Sequence, residues 1–287
     1  MIVTILLALA ATASGDTARV IHPPQGLFVR EFSFTPDGKE LLFSGSFGSR
    51  SALFRCDLQG EGARAITDTS GWHQWGDLSP DGSRMLYVAQ PDSVPYLRVR
   101  DLATGEEHRA TADSMAETTP AWSPDGKHIA YGRRTGDRIQ LWRMRADGRE
   151  ARAIGGTSGA EYNPEWSPDG EWIVHYVSWN SGDSLVLMRS DGRDRRVIGP
   201  GLWPSFSPDG KWLVFTRVTA RGAPQVWRMT SDGGEQRFVA DRAFFARYTP
   251  DGTHIAFLAL TDDAVEPGSH LHWVKPDGSG LERLLPR

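Results

Sequence analysis

Short runs in which apolar and polar residues alternate recur along nearly the whole chain, and turn-forming residues bound each run. One unit illustrates the pattern: residues 120–123, 128–131, 140–144 and 151–154 alternate in this way, with Pro-Asp-Gly and Asp-Gly between them. A period of two residues in short runs bounded by Pro, Asp and Gly is typical of antiparallel strands. Because no stretch has helical periodicity, the pattern predicts an all-β chain.

A Ser-Pro-Asp-Gly or Thr-Pro-Asp-Gly turn follows the first strand pattern of each unit. Proline presets φ for the second turn position, aspartate can hydrogen-bond nearby backbone, and glycine accepts a positive φ. Six copies occur, 40 to 44 residues apart, with their prolines at Pro36, Pro80, Pro124, Pro168, Pro208 and Pro250. This period, with four strand patterns per unit, is typical of propeller blades. We therefore predict a six-bladed β-propeller of four-stranded antiparallel blades over residues 16–287.

Two segments near the chain ends have the pattern of a fourth strand: Ala-Arg-Val-Ile at residues 18–21 and Leu-Glu-Arg-Leu-Leu at residues 281–285. One of them must complete the sixth blade, because an open sheet edge invites association with other chains. The sequence leaves both alternatives open.

Residues 1–15 form an apolar run that is too short to span a bilayer and ends in small residues. Ala11-Thr12-Ala13 has the form that a signal peptidase accepts, although no Lys or Arg precedes the run. The alternative is a buried first strand. We predict a signal peptide and a periplasmic or secreted protein, and no other stretch is apolar enough to cross a membrane.

Composition narrows the range of partners. The net charge is -4 and the sequence pI is about 6.1, so no basic field indicates nucleic acid. Cys56 is the single cysteine, which excludes an internal disulfide framework and a multi-cysteine metal site.

The predicted topology separates a regular face from an irregular one. Both sets of Asp-Gly turns fall on one face, and the variable loops within and between blades fall on the other, where binding residues are usually found. Residues just before each first strand should surround the central channel on that irregular face. Their aromatic rings, carboxylates and arginines suit a protein or peptide partner. The candidate binding residues are Arg30, Gln74, Trp75, Glu117, Glu161, Asn163, Trp203, Phe245 and Arg247. Sugar stacking on Trp75 or Trp203, or packing of the rings between blades, are the alternatives.

The motif Pro-x-Trp-Ser-Pro-Asp-Gly-Lys-x-Ile-Ala-Tyr at residues 120–131, followed by Leu-Trp-x-Met-x-x-Asp-Gly at residues 141–148, resembles the TolB-type, WD-like Pro-Asp repeat. The resemblance covers nearly the whole chain after the N-terminal run. Propellers of this family are six-bladed, often extracytoplasmic, and mostly bind proteins. The resemblance therefore implies a TolB-like propeller, here expected without the N-terminal α/β domain of TolB.

Catalytic motifs are sparse. The Gly-x-Ser-x-Gly elbow of serine hydrolases does not occur, and Gly-Thr-Ser-Gly at residues 156–159 has the wrong spacing. A lyase like the propeller-type oligogalacturonate lyases would need several histidines at the channel, where only His73 is well placed, with His22 second. His270 and His272 share one face of a strand, which is half of a metal site at most. Asp262, Asp263 and Glu266 indicate a solvated acidic loop.

These observations predict a monomeric, non-catalytic, extracytoplasmic propeller. It would bind a protein or peptide at the loop face around its channel, without cofactor, metal ion or nucleic acid. A metal-dependent, polysaccharide lyase-like propeller and a carbohydrate-binding propeller remain the alternatives.

Overall fold

The computed structural model describes residues 20–21, 28–111, 115–260 and 269–280. These residues form 24 strands in six four-stranded antiparallel sheets and no helix. The predicted all-β, six-bladed propeller is confirmed.

Strands are numbered in chain order, and each blade runs from the channel outwards. The first three blades contain β2 (Phe28–Phe34), β3 (Glu40–Phe47), β4 (Arg50–Asp57) and β5 (Arg64–Ala65); β6 (His73–Leu78), β7 (Arg84–Ala89), β8 (Tyr96–Asp101) and β9 (Glu107–Arg109); and β10 (Glu117–Trp122), β11 (His128–Thr135), β12 (Arg138–Arg145) and β13 (Arg152–Ala153).

The fourth and fifth blades contain β14 (Ala160–Trp166), β15 (Trp172–Trp179), β16 (Gly182–Arg189) and β17 (Arg196–Pro200), and β18 (Leu202–Phe206), β19 (Trp212–Val218), β20 (Pro224–Thr230) and β21 (Gln236–Asp241). The sixth contains β22 (Ala243–Tyr248), β23 (Ile255–Leu260), β24 (Ser269–Val274) and the N-terminal β1 (Val20–Ile21).

The Pro-Asp-Gly turns have the local hydrogen bonds that their sequence predicts. In the second blade, Ser79 Oγ donates to Asp81 Oδ1 at 2.6 Å, and Gly82 N–H donates to the Ser79 carbonyl at 2.8 Å. The Arg84 N–H donates a hydrogen bond to Ser79 Oγ at 2.9 Å, and Arg84 is the first residue of the next strand. Because all partners lie within five residues, each turn can form without the rest of the blade.

The two sets of turns lie together on one face. The Leu102 N–H, after the third strand of its blade, donates to the carbonyl of Ser83 in the Pro-Asp-Gly turn at 2.9 Å. These Pro-Asp-Gly turns also touch around the ring. A Cβ on Gly126 would lie 3.6 Å from Pro80 of the preceding blade. The variable loops meet on the opposite face, where the Gln90 N–H bonds the Trp72 carbonyl at 2.9 Å.

The N-terminal strand closes the ring. Val20 pairs with His272 and Ile21 with Leu271, so β1 completes the sixth blade antiparallel to β24. The competing segment 281–285 lies outside the described residues. Residues 1–15 also lie outside them, so the signal peptide and its boundary with the propeller stay predictions.

The core consists of apolar layers between neighbouring blades. Leu141 of the third blade packs in one buried cluster with Ile173 and Met188 of the fourth. Leu42 and Tyr87 contribute to the corresponding cluster between the first two blades. Each layer holds two sheets face to face and leaves the first strands free to surround the channel.

Candidate functional site

A central cavity of about 150 Å³ lies between the first strands of the six blades. Its lining residues recur at fixed offsets before the proline of each Pro-Asp-Gly turn. The residues five positions before the proline are Glu31, Trp75, Thr119, Asn163, Trp203 and Phe245. In five blades the residue at the offset of three before the proline also lines the cavity. These residues are Asp77, Ala121, Glu165, Ser205 and Arg247.

A β-bulge interrupts the first strand of every blade, where its register against the second strand shifts. In five blades the bulge holds a non-glycine residue with a positive φ: Trp75 (58°), Thr119 (44°), Asn163 (50°), Trp203 (51°) and Phe245 (50°). This conformation is costly for bulky side chains, at roughly 1–2 kcal/mol per residue. All five residues line the cavity, so the bulges turn the strands towards the channel.

Side chains of the preceding blade compensate for this strain. The N–H groups freed at the bulges donate across the blade boundary: Trp75 to Glu31 Oε1 at 2.7 Å, Asn163 to Thr119 Oγ1 at 3.1 Å, and Phe245 to Thr216 Oγ1 at 3.1 Å. Each bond satisfies a backbone donor that the sheet has left unpaired. The bulges therefore belong to the blade-to-blade framework of the channel.

Charged groups lie deeper in the cavity. Arg247 donates from one Nη to both carboxylate oxygens of Glu165, at 3.2 and 3.0 Å, and Ser205 Oγ donates to Glu165 Oε1 at 3.1 Å. Asp77 Oδ2 accepts the Trp122 N–H at 2.7 Å. Carboxylates from three blades thus surround one guanidinium among the described lining residues.

The channel perturbs two of these carboxyl groups. Burial raises the pKa of Asp77 to about 7, against the lowering effects of the Trp122 N–H and Arg247, and Glu165 adds to the rise. Burial also raises the pKa of Glu31, although Ser44, the Trp75 N–H and two arginines act to lower it. Asp77 retains some exposed surface but is enclosed by the walls of the channel, so desolvation dominates.

Aromatic rings form the wall above these charges. Trp203 packs at 6.1 Å from Phe245 and 6.0 Å from Phe244, and Trp75 lies 6.2 Å from Phe245, between ring centroids. Phe245 is buried, whereas Trp75, Trp203 and Phe244 are half-buried. We call the three rings that line the cavity, those of Trp75, Trp203 and Phe245, the aromatic wall.

Five of the nine residues predicted for the channel mouth line the cavity: Trp75, Asn163, Trp203, Phe245 and Arg247. Glu117 and Glu161 do not. Glu117 is fully buried and accepts the Leu97 N–H at 3.1 Å and the Thr111 hydroxyl at 2.6 Å, both from the preceding blade or its connection. These positions precede the bulge, where side chains point into the neighbouring blade.

Glu161 has a similar structural place. It accepts the N–H groups of Leu141 and Gly156 at 2.9 and 2.8 Å and pairs with Arg195 at 2.7 Å. Burial acts to raise its pKa, but His175, the Leu141 N–H and Arg195 together hold the pKa of Glu161 below its usual value. Through its hydrogen bond from the Leu141 N–H, Glu161 connects the fourth blade to the third.

Gln74 and Arg30 also lie away from the cavity lining. Gln74 is buried at 6% exposure, and Arg30 is exposed, with its Nε donating to Ser46 Oγ at 3.1 Å. Asp77 and Glu165 are lining residues that the sequence analysis missed. Their constant offset of three residues before the turn proline is the signal that would have found them.

The histidines do not converge among the described residues. His73 is buried, its Nε2 lies 3.7 Å from Asp68 Oδ2, and its ring packs on Tyr87 at 5.6 Å. His272 stacks on Phe257 at 5.8 Å. In the described part of the chain, no three His, Cys, Asp or Glu side chains are grouped to hold a metal ion. His22 and the acidic residues of segment 261–268 lie outside it.

A bilayer-spanning helix, long and apolar enough to cross, is not present in the described ranges.

Comparisons with known proteins give the same architecture. Protein TolB homolog from Chlorobium chlorochromatii is 30% identical over 117 residues, which are 41% of this chain and 24% of that protein. The chain spans less than half the length of the curated relatives it matches.

Two solved structures share the fold. TolB from Acinetobacter baumannii superposes with a TM-score of 0.72 at 16% identity, over 88% of this chain and 61% of TolB. An oligogalacturonate lyase in complex with manganese superposes with a TM-score of 0.59 at 17% identity, over 91% of both chains. At these identities the likeness concerns the fold alone.

A family model described as the TolB beta propeller domain matches residues 15–168, more than half of the sequence. Together with six blades and a Pro-Asp-Gly turn in each, this match shows that the chain belongs to the TolB beta propeller domain family.

Proposed function

We propose that this chain is a monomeric, non-catalytic, extracytoplasmic propeller that binds a protein or peptide segment at the mouth of its channel. The observation that carries the proposal is the set of five strained bulges whose side chains line one cavity. Strained backbone persists where surrounding structure over-determines it, and it clusters at binding and active sites. The family resemblance adds the expectation of protein partners and of a location outside the cytoplasm.

The size and composition of the cavity favour a side chain of a partner over a free small molecule. Its volume of about 150 Å³ is below the roughly 300–1,000 Å³ of ordinary small-molecule pockets. Trp75, Trp203 and Arg247 are of the residue types that dominate binding energy at protein interfaces. A partner would therefore rest on the irregular face and insert a few atoms between the half-buried rings.

Partner capture with matched tryptophan variants tests this proposal. The mature chain serves as bait for cross-linking in the native envelope fraction, beside Trp203→Ala and Trp227→Ala. Trp227 is half-buried on β20 of the same blade, stacked under Arg217 at 4.6 Å and away from the cavity lining. We expect a protein that the wild type and Trp227→Ala recover and Trp203→Ala loses.

Recovery that is equal with all three baits would place the binding surface elsewhere. A glycan that binds the wild type but not Trp203→Ala, with no protein recovered, would replace the proposal by the carbohydrate-binding alternative. Thermal unfolding of each variant before the experiment ensures that lost capture reflects the mouth and not the fold.

A further inference from the structure

The charges of the channel are unequal. Its described lining holds the carboxyl groups of Glu31, Asp77 and Glu165 and one guanidinium, that of Arg247. Arg247 is engaged by Glu165 at 3.0 and 3.2 Å. Neither Glu31 nor Asp77 forms an ion pair with a described residue. Two carboxyl groups of the cavity therefore have no direct ion-pair partner, and Arg247 acts on both from a greater distance.

Backbone groups stabilise these two carboxyls only in part. Glu31 Oε1 accepts the Trp75 N–H and Asp77 Oδ2 accepts the Trp122 N–H, each at 2.7 Å. A carboxylate has about four lone-pair positions, so acceptor capacity remains on both groups. A buried charge is costly unless it is paired, and a cation entering the channel would supply the missing pair.

The aromatic wall suits the same ligand. The faces of aromatic rings attract cations, most strongly for Trp. Trp75 and Trp203 are half-buried at the cavity, so a cation that enters must pass close to their rings. A carboxylate of a partner would be disfavoured, because it would meet three carboxyl groups and a guanidinium that Glu165 already pairs.

We infer that the channel receives a positively charged group of the bound peptide: a Lys ammonium, an Arg guanidinium or a free α-amino group. This inference rests on the proposed function, since it names the chemistry that the mouth would select in its partner. The cavity has room for one such group and not for a folded element. The carboxyls of Glu31 and Asp77 would pair with it.

Selection from a random heptapeptide library, displayed on phage, tests the inference with a defined set of probes. Immobilised wild type is the target, and selected sequences are resynthesised with a fluorescent label. Their affinities are measured by anisotropy against wild type, Trp203→Ala, Asp77→Asn and Asp137→Asn. Asp137 is the matched control, because its side chain is 97% exposed in a loop of the irregular face and its replacement removes the same charge.

We expect the peptides that require Trp203 to share one Lys, Arg or free N-terminus. Replacing that Lys or Arg by norleucine, or acetylating the N-terminus, should lower affinity by about tenfold or more, as should Asp77→Asn, since a desolvated charge pair is lost. Asp137→Asn should leave affinity within about twofold, because exposed charges contribute little. The norleucine and acetyl arms distinguish a side chain from the α-amine.

Peptides that require Trp203 but tolerate norleucine, N-terminal acetylation and Asp77→Asn would overturn the inference and leave the proposed function standing. A library that yields no peptide dependent on Trp203 would overturn both.

Discussion

Replacing Asp77 by Asn tests whether the channel holds an ionisable group away from bulk water. Asparagine has nearly the same size, and its side-chain oxygen can still accept the Trp122 N–H, which lies 2.7 Å from Asp77 Oδ2. The substitution removes the charge and keeps the contact. Any pH-dependent difference between the two proteins then reports the ionisation of Asp77.

The magnitude follows from the pKa. Burial is the main cause that raises the pKa of Asp77 from 3.8 to about 7. One pKa unit corresponds to about 1.36 kcal/mol, so ionising Asp77 in the native channel costs roughly 4 kcal/mol relative to the unfolded chain. The partial exposure of Asp77 reduces this cost, and we expect a measured effect of roughly 2–4 kcal/mol.

The sign of the pH dependence follows from whether the native or the unfolded state binds the proton of Asp77 more tightly. Below pH 3.8, Asp77 is protonated in both states and contributes no pH dependence. Between this value and about 7 the unfolded chain releases the proton and the native state keeps it, so the free energy of unfolding falls as pH rises. Above a pH of about 7 Asp77 is ionised in both states, and the free energy of unfolding falls no further on its account. Asp77→Asn escapes this loss and should be the more stable protein at pH 8 but not at pH 4.

Urea unfolding of both proteins from pH 4 to pH 9, followed by tryptophan fluorescence, measures the difference. Asp81→Asn is the control of opposite sign, because hydrogen bonds from Ser79 and Ser83 lower the pKa of the exposed Asp81 to about 2. That variant should be less stable than wild type by a constant amount from pH 5 to pH 9. A stability difference for Asp77→Asn that does not change between pH 4 and pH 8 would refute the reasoning.

Three further predictions concern the framework of the channel. Glu161→Ala should lower the free energy of unfolding by about 3–5 kcal/mol, because it leaves the Arg195 guanidinium without its carboxylate and the N–H groups of Leu141 and Gly156 without their acceptor; a loss below about 1 kcal/mol in urea unfolding would contradict this. Trp203→Gly should be about 1 kcal/mol more stable than Trp203→Ala, because residue 203 has a φ of 51°; the usual order in strands, with Ala more stable, would show that the bulge is not strained. Removing residues 1–21 should lower the Tm and cause association in size-exclusion chromatography, because β24 loses its partner; an unchanged monomer would mean that β1 does not close the ring.

Much of the fold could be predicted because its signals are local. Each Pro-Asp-Gly turn is held by bonds such as Ser79 Oγ to Asp81 and Gly82 N–H to Ser79, which span two or three residues. The period of these turns then gives the number of blades and the side on which the turns lie. The same period also contained the lining positions Asp77 and Glu165, three residues before the turn proline, where the predicted set included only Arg247.

The prediction of the channel mouth was less complete because the bulge changes the direction of side chains. Strict alternation along the first strand gives no sign of the register shift between Tyr162 and Glu165. Glu161, just before that shift, points into the preceding blade, whereas Asn163 lies within the shift and lines the cavity. The position of a residue along the strand therefore does not reveal where its side chain points until the bulge is located.

The sequence by itself determined the strands, the turns and the six-fold repeat, because short-range hydrogen bonds and alternating burial specify them within each unit. Only the tertiary structure decided which strand closes the ring and which charges meet in the channel. Val20 and His272 pair from opposite ends of the chain, and Arg247 reaches Glu165 across 82 residues. Such pairs depend on how six similar sheets fit around one axis, and no local pattern encodes that fit.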